Sequence, residues 1–354
     1  MQSNSFTNRF AAGLENPPPG EEQIIQRTVE LFENKLRASH QPGALALRGQ
    51  HAKTVGLLKA EFIVPELPDE FRVGVFKTAR TYPAWIRISN GSEKIQSDTK
   101  PDVRAVAIKL LDVPGEKVLE EQKDATTQDF ILANSPALFA RTAADICEFT
   151  QRATSGGLPG YFFKLNPCKW RLRELGNLLG SVLARVSNPL AIAYWSQTPY
   201  AFGQRAVKYK LVPRSPKSAY ASAKRGSNHL RQAMVDHLAD RAAAFDFMVQ
   251  FQVDPGKQPV EDAARHWKEK QAPFVKVATV NIPSQSFDSP EQDRFAEHLS
   301  YNPWHSLPEH RPLGGVNRAR RAAYLAISKL RHELNGEERK EPGPEDHPGV
   351  NLKG

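Results

Sequence analysis

The sequence is poor in cysteine, and this limits the kinds of site that it can form. Its 354 residues include two cysteines, Cys147 and Cys168. Two thiols are too few for a disulfide framework, and they lack the paired spacing of a zinc site. We therefore expect two buried free thiols in a fold that depends on its hydrophobic core.

Several well-known catalytic motifs are absent as well. None of the ten histidines lies in an HExxH motif or in an i, i+4 pair, so nothing supports a zinc hydrolase. The sequence has no GxSxG, no P-loop and no GxGxxG after a predicted strand. A serine hydrolase, a P-loop nucleotidase and a dinucleotide-dependent enzyme are therefore not indicated.

Long runs of one charge are missing too. The net charge is +9, but the basic residues are mixed with 39 acidic ones, and no run of five or six like charges occurs. We therefore expect no nucleic-acid partner. The first twenty residues contain no apolar stretch of the kind found in secretory signals, so the expected location is the cytoplasm.

The most apolar stretch, residues 175–195, is long enough to raise the question of a membrane span. It is interrupted by Asn177, Arg185, Asn188 and Pro189. Because charged and polar groups are costly inside a bilayer, we predict a core helix or a lid helix. A transient contact with a membrane or lipid stays open.

The sequence does contain enough apolar residues for a large core, with 40% hydrophobic residues and 18 phenylalanines. Helical spacing covers residues 21–38, about 137–195 and a more polar stretch near 228–243. Short apolar or alternating runs predict strands at 56–64, 84–90, 103–113, 129–133, 205–213, 245–253 and 274–282. We expect an α+β protein built on an antiparallel eight-stranded β-barrel, with strands in two groups of four and with inserted and C-terminal helices.

One tyrosine lies in a basic helical stretch, RARRAAYLAISKLR, at residues 318–331. Arg320, Tyr324, Ile327 and Arg331 share a helix face, because they are spaced by four, three and four residues. The spacing alone leaves open a solvated basic helix whose tyrosine packs on the core. In the same way, His51 in RGQHAK (48–53) precedes a predicted strand, and a single histidine in such a place is often structural.

Five short motifs, taken in order, are more specific than any one of them. They are RGQHAK (48–53), RIS (87–89), DVRAVAIK (102–109), DFILANSP (129–136) and Arg320-x-x-x-Tyr324 with Arg331. This series resembles the ordered motifs of the haem catalase superfamily, and in particular its minimal catalase-related peroxidases and allene oxide synthase-like members. The resemblance covers residues 45–332 and is patchy between 140 and 290.

The resemblance implies a catalase-like barrel that binds haem b, ferric iron protoporphyrin IX. Tyr324 would be the iron ligand, which is a known role of tyrosine in such proteins. Arg320 would stabilise its phenolate, because a neighbouring cation favours the charged form of a phenol. Arg48, Arg87 and Arg331 would bind the haem propionates.

The same resemblance implies three catalytic residues. His51 would move a proton from one peroxide oxygen to the other, as a general base and then an acid. Ser89 would hold Nδ1 of His51 and so fix its tautomer, and Asn134 would donate a hydrogen bond to the peroxide.

The implied organisation has four parts. Residues 1–40 form an arm and a helix, and residues 41–290 form the haem-binding barrel with a helical insertion at about 137–200. Residues 291–335 carry the helices with the iron ligand, and the charged, Pro- and Gly-rich residues 336–354 form a disordered tail.

Some positions depart from the family pattern. Gln50 precedes the histidine where an apolar residue is usual, and Thr54 replaces a common glycine. Cys147 stands where an aromatic residue would stack on the haem, although Phe149 is close by. Gln50 either reaches the haem edge or points outward.

The chain is short for a catalase, and a trimmed protein should admit larger molecules. We therefore expect a haem peroxidase that reduces hydrogen peroxide or organic hydroperoxides and oxidises small organic donors, with weak catalase activity. One alternative is a fatty-acid hydroperoxide isomerase of the allene oxide synthase type. Another, of a different class, is a non-catalytic haem carrier or sensor. We also expect a homo-oligomer.

Overall fold

The computed structural model of the chain describes residues 13–41, 43–343 and 346. Residues 1–12 of the predicted arm lie outside the described residues, as do 344–345 and 347–354 of the predicted tail. Within the described part, seven α-helices and nine strands form. The helices are α1 (Glu21–Ser39), α2 (Ala143–Thr154), α3 (Pro159–Phe162), α4 (Leu172–Val182), α5 (His229–Leu238), α6 (Pro290–His298) and α7 (Gly315–Asn335).

The strands match the seven predicted runs and add two short ones. They are β1 (Thr54–Val64), β2 (Arg80–Asn90), β3 (Arg104–Leu110), β4 (Gln128–Ala133), β5 (Tyr194–Trp195), β6 (Tyr200–Phe202), β7 (Arg205–Pro213), β8 (Ala243–Phe251) and β9 (Phe274–Ile282). They pair in the order β5-β4-β3-β2-β1-β9-β8-β7-β6, and β5 also pairs with β7. This second pairing closes an antiparallel barrel of eight strands, which confirms the predicted fold class.

The eighth strand of the ring is β5, and it lies in the interval predicted to be helical. One register pair, Ala133 with Trp195, joins it to β4, and two pairs, Tyr194 with Leu211 and Trp195 with Lys210, join it to β7. The helical prediction for residues 137–195 was therefore wrong at its end. Two residues carry no strand periodicity of their own, and their conformation is set by distant partners.

The inside of the barrel is filled by aromatic side chains. Phe62 lies 6.0 Å from Phe130 between ring centroids, and Phe130 lies 5.0 Å from Phe247. His310 packs beside them and accepts a hydrogen bond from the backbone N–H of Val75 at 3.1 Å. The interior is thus a packed core, and any large cavity must lie elsewhere.

The outer face of β3 carries a buried lysine. Lys109 has no exposed surface and pairs with Asp129 at 2.7 Å and with Glu341 at 2.6 Å. Burial alone would lower the pKa of Lys109, but the two carboxylates outweigh it and raise that pKa. Through Glu341, the segment after α7 is fixed to the barrel.

The apolar stretch at 175–195 does not form one long helix. It is divided between α4 and irregular backbone that leads to β5. None of the described helices is both long and apolar enough to cross a bilayer. The prediction for the cysteines was half right, because Cys147 is buried whereas Cys168 is exposed, in a short turn before α4.

Candidate functional site

A cavity of about 620 Å³ lies outside the barrel, between the outer face of strands β2–β4 and helix α7. Its volume is within the range of small-molecule and cofactor sites. Most of its lining is apolar. His51, Ser89 and Arg87 line it from the barrel side, and Arg320 and Tyr324 line it from α7.

The alternation of side chains along the strands creates the space. Even-numbered residues of β2 and β3, such as Ile88 and Val106, pack inside the barrel, so their odd-numbered neighbours point outward. On β3 the outward residues next to the cavity are Ala105 and Ala107, and on β4 the last one is Ala133. These small side chains leave room between the sheet and α7.

His51 sits just before β1 in a left-handed backbone conformation, with φ of 58°. This is an uncommon conformation for a residue with a Cβ, and such residues concentrate at functional sites. The Arg87 guanidinium donates to the His51 carbonyl at 2.7 Å, and the His51 N–H donates to Gly91 O at 3.2 Å. These two hydrogen bonds fix the His51 backbone at both its carbonyl and its N–H.

The His51 imidazole contacts Ser89, the residue that the family pattern pairs with it. Nδ1 of His51 lies 3.2 Å from Ser89 Oγ. Burial, reinforced by Arg87, Arg320 and Arg48, lowers the pKa of His51 to about 3. The imidazole is therefore neutral at physiological pH and able to accept a proton.

Three guanidinium groups, two of them from buried residues, meet near one carboxylate at one end of the cavity. Nη1 of Arg48 lies 2.5 Å from Glu297 Oε2, and Arg331 donates to the Glu297 backbone carbonyl at 2.7 Å. The third group, Arg87, donates to Thr54 Oγ1 at 2.8 Å, and Thr54 in turn donates to Glu297 Oε1 at 2.9 Å. Glu297 is the carboxylate that all three groups share, and Glu337 also acts on Arg331.

This cluster carries an uncompensated positive charge. Burial and the nearby Arg48 lower the pKa of Arg87 to about 9 and that of Arg331 to about 10. Burial would raise the pKa of the Glu297 carboxyl, but Arg48 and Arg87 outweigh it and hold that pKa below its usual value. The three guanidinium groups outnumber the carboxylates that act on them, so the cluster can accept carboxylates from a ligand.

Arg320 and Tyr324 lie one helical turn apart on the opposite wall. Nη2 of Arg320 donates to Tyr324 Oη at 3.3 Å, and the guanidinium carbon lies 5.3 Å from the tyrosine ring centroid. Other partners of Arg320 are the neutral groups Thr198 and Asn317. Burial would lower the pKa of Arg320, but Tyr324 and Tyr200 outweigh it and raise that pKa.

Among the described residues, none of the hydrogen-bond partners of Arg320 is a carboxylate. A phenolate at position 324 would supply the missing negative charge. The described part of the chain also contains no cluster of three histidine, cysteine or acidic side chains that could hold a metal ion.

The structure does not bring Asn134 into this cavity. Its side-chain oxygen accepts from the Arg104 N–H at 3.1 Å, and its amide nitrogen donates to Ser181 O at 2.9 Å. Both ends of the amide therefore link β3 to α4, and Asn134 is not among the lining residues. Its role in catalysis stays a prediction that this geometry does not support.

Two open questions from the sequence concern Gln50 and Phe149. Gln50 reaches the edge of the cavity but is solvent-exposed, as expected of an outward-pointing residue. Phe149 lines the cavity and packs 4.2 Å from Phe139, whereas Cys147 is buried outside the lining. An aromatic face is thus present two residues beyond the position where the family pattern places it.

Two functional residues were missed from the sequence: Glu297, and Thr54 as a bridging hydroxyl. Glu297 is one of several acids in α6, and it meets Arg48 across 249 positions of the chain. The signal for Thr54 was its departure from the usual glycine, since a hydroxyl at that position can bridge Arg87 and Glu297.

The fold and the cavity can be compared with known proteins. No protein-family model matches the chain, and no curated protein sequence matches it. Solved structures do match. A fungal catalase has 16% identity and a TM-score of 0.60, with 88% of this chain and 67% of that chain covered.

Two further catalases give the same result. Catalase A from Saccharomyces cerevisiae has 14% identity and a TM-score of 0.63, with 96% of this chain and 73% of that chain covered. A bacterial catalase has 14% identity and a TM-score of 0.57, with 96% and 68% covered. At these identities the likeness establishes the fold, and the chain has the fold of these catalases.

Proposed function

We propose that the protein is a haem-dependent peroxidase that reduces hydrogen peroxide or organic hydroperoxides and oxidises small organic donors, with weak catalase activity. One observation carries the proposal. A neutral, partly buried imidazole and a tyrosine paired with a partly buried arginine line one cavity, which also has an excess of guanidinium groups at one end. The likeness to catalases supports the choice of chemistry.

The cavity fits haem b on three counts. Its lining is mainly apolar, which suits a porphyrin face. Arg48, Arg87 and Arg331 bear two positive charges beyond Glu297, and haem brings two propionates, which planar guanidinium groups bind well. The Tyr324 phenolate would be the protein's ligand to the iron, and Arg320 would compensate its charge.

When bound, the haem iron supplies the redox chemistry that cleaves the peroxide O–O bond. The residues of the chain supply proton transfer. His51 accepts the proton of one peroxide oxygen through Nε2 and donates it to the departing oxygen. Ser89 holds Nδ1, which keeps Nε2 as the nitrogen that faces the substrate.

The reaction then balances with an external reductant. One hydroperoxide takes up two protons and two electrons and yields one alcohol and one water, or two waters from hydrogen peroxide. The two electrons come from a small organic donor in the peroxidase reaction. In the weak catalase reaction they come from a second hydrogen peroxide, which leaves as oxygen.

The apolar lining of the cavity favours one alternative, a fatty-acid hydroperoxide isomerase of the allene oxide synthase type. Such an enzyme needs no external donor, because the carbon chain of the substrate itself supplies the two electrons that reduce the O–O bond. A haem carrier or sensor is the remaining candidate. It has no use for a neutral acid–base group held at a fixed tautomer, so His51 and Ser89 argue against it.

The proposal is tested on protein loaded with haemin. Stopped-flow spectroscopy with hydrogen peroxide and an oxidisable dye, beside an oxygen electrode, should give fast dye oxidation and slow oxygen release. Rapid oxygen release would make the protein a catalase. Rapid consumption of a fatty-acid hydroperoxide without dye would make it an isomerase, and absence of a Soret band would end the haem proposal.

A further inference from the structure

The helical insertion exposes an unusual number of large apolar side chains. Six of the nine exposed large hydrophobic residues in the described part of the chain lie between positions 163 and 183: Phe163, Leu165, Trp170, Leu172, Leu179 and Leu183. Leu165 is fully exposed, and Phe163 and Trp170 pack edge to face at 5.2 Å. We call residues 163–185 the apolar lobe. Such a cluster on a surface marks an interaction site.

Helix α4 within this lobe has two different faces. Leu172, Gly176, Leu179 and Leu183 follow one another at spacings of four, three and four, and all are exposed. In the part of the chain that the structure describes, nothing lies within 4 Å of a Cβ built at Gly176 or Gly180. This outer face is therefore uncovered.

The inner face of α4 belongs to the candidate site. Asn177, Leu178 and Ser181 line the cavity that holds His51 and Tyr324. Asn177 also donates to the carbonyls of Leu138 and Ala264, which fixes the helix to the rest of the protein. One helix diameter, about 10 Å, thus separates the cavity from the uncovered apolar face.

The exposed charges of the apolar lobe have one sign. Lys169 and Arg185 are its exposed charged residues, and both are cations. The acid in the lobe, Glu174, is buried and pairs with Arg173 and Arg141. Leucine, phenylalanine and tryptophan side chains next to lysine and arginine are typical of segments that lie in the interface of an anionic bilayer.

We propose that the apolar lobe docks on an anionic membrane surface, with the outer face of α4 in the boundary between headgroups and acyl chains. The exposed cations favour this occupant over a second copy of the chain. In a symmetric dimer this face would meet itself, so the exposed cations of the two copies would be brought together, and like charges repel. The Phe163–Trp170 pair suits an interface that is apolar on one side and wet on the other.

This placement names a substrate class, and that part rests on the proposed function. A docked lobe brings the cavity to within one helix of the acyl chains. The substrates would then be hydroperoxides of membrane-lipid acyl chains, which reach the mainly apolar cavity from the bilayer. Each lipid hydroperoxide would take up two protons and two electrons from a small organic donor and yield one lipid alcohol and one water.

Vesicle sedimentation of the full chain tests the docking without any need for activity. The probes are vesicles of phosphatidylglycerol mixed equally with phosphatidylcholine, and vesicles of phosphatidylcholine alone. The protein should bind the anionic vesicles more tightly. The double change Leu165→Glu with Leu179→Glu should weaken binding at least about tenfold. It removes two leucine side chains that would otherwise move from water into the bilayer. Lys169→Ala should weaken binding to the anionic vesicles about fivefold.

The matched control is Ile95→Glu with Val253→Glu, which places the same two charges on exposed apolar residues outside the lobe. It should bind like the unchanged protein. Failure of the unchanged protein to bind, or equal binding by the double variant, overturns the docking. So does the finding that the double change converts a dimer to a monomer, since the lobe would then be an interface between copies.

The substrate class is tested separately on haemin-loaded protein. The double variant should oxidise a dye with hydrogen peroxide as fast as the unchanged protein, but reduce vesicle-borne lipid hydroperoxide at least about tenfold more slowly. If vesicles are bound and hydrogen peroxide is used, but vesicle-borne hydroperoxide is not, the substrate class is wrong. If no peroxide is used while binding persists, the proposed function fails and the docking stands.

Discussion

Arg320 donates a hydrogen bond to the hydroxyl of Tyr324 one helical turn further along α7, at 3.3 Å. The two side chains lie on the wall of the cavity that faces the barrel and His51. A phenolate bound to ferric iron would carry a negative charge, and the neighbouring guanidinium would compensate it. The proposed cofactor therefore depends on this pair.

Tyr324→Phe should abolish the tyrosinate spectrum of the haemin-loaded protein. The change removes one oxygen from a half-buried side chain, so the fold should persist while the iron loses its protein ligand. Absorption and electron paramagnetic resonance spectra measure the effect. Tyr82→Phe is the control, because its hydroxyl donates to Val75 O outside the cavity and its loss should cost about 1 kcal/mol of stability with an unchanged spectrum. An unchanged spectrum in Tyr324→Phe would rule out this ligand.

His51→Ala should bind haemin but react with peroxide about 100- to 10,000-fold more slowly, because the proton-transfer group is lost. The pKa of His51 is lowered to about 3, so the imidazole stays neutral throughout the range above that value. The unchanged protein should therefore react at a nearly constant rate between about pH 5 and 8, and lose rate only as the pH falls towards 3. Stopped-flow rates across this range provide the measurement. A step centred near the ordinary histidine pKa would show that the group is not this buried imidazole.

Glu297→Gln should destabilise the protein without haem by about 3–5 kcal/mol, because it removes the carboxylate that pairs with Arg48 and that also acts on the buried Arg87 and Arg331. Haemin should then raise the melting temperature more in this variant than in the unchanged protein, since the propionates replace the lost charge. Thermal unfolding with and without haemin measures both effects. Glu291→Gln, on the exposed side of the same helix, should leave stability unchanged, because an exposed ion pair contributes little. Equal stability of the two variants would refute the charge argument.

Asn134→Ala distinguishes the catalytic role that the family pattern implies from the structural role that the hydrogen bonds of Asn134 indicate. The side-chain amide links the Arg104 N–H to the Ser181 carbonyl, so its removal should destabilise the protein by about 1–3 kcal/mol. The rate with hydrogen peroxide per bound haem should change little. Unfolding curves and stopped-flow rates are measured on the same preparation. A rate loss of a hundredfold at unchanged stability would restore the catalytic role that the motif implies.

Local patterns predicted most of the barrel, because its seven longer strands each carry their own run of apolar or β-branched residues. They also predicted that Arg320, Tyr324 and Arg331 share a face of one helix, since the spacing fixes this. The position of β5 was not predictable, because a strand of two residues is too short to show the alternating pattern of a β-strand. Its conformation depends on Ala133 and Leu211, which are distant in the sequence.

The site was predictable only where the chain brings its residues together locally. Ser89 and His51 were identified through their motifs, and the structure places them in contact. Glu297 was missed because no local feature distinguishes an acid on α6 that pairs with Arg48 from one that faces water. The orientation of Asn134 depends on where α4 packs, and a motif on β4 does not contain that information.

The barrel closes at β5 through three register pairs, and this seam adjoins the cavity, whose lining includes Ala133 and residues 196–198. Strands held by so few pairs open locally before the whole domain unfolds. Backbone amides near the seam should therefore exchange with deuterium sooner than those in the centre of β1 or β2. A molecule bound in the cavity would slow this exchange and reveal its occupancy without any spectroscopic signal of its own.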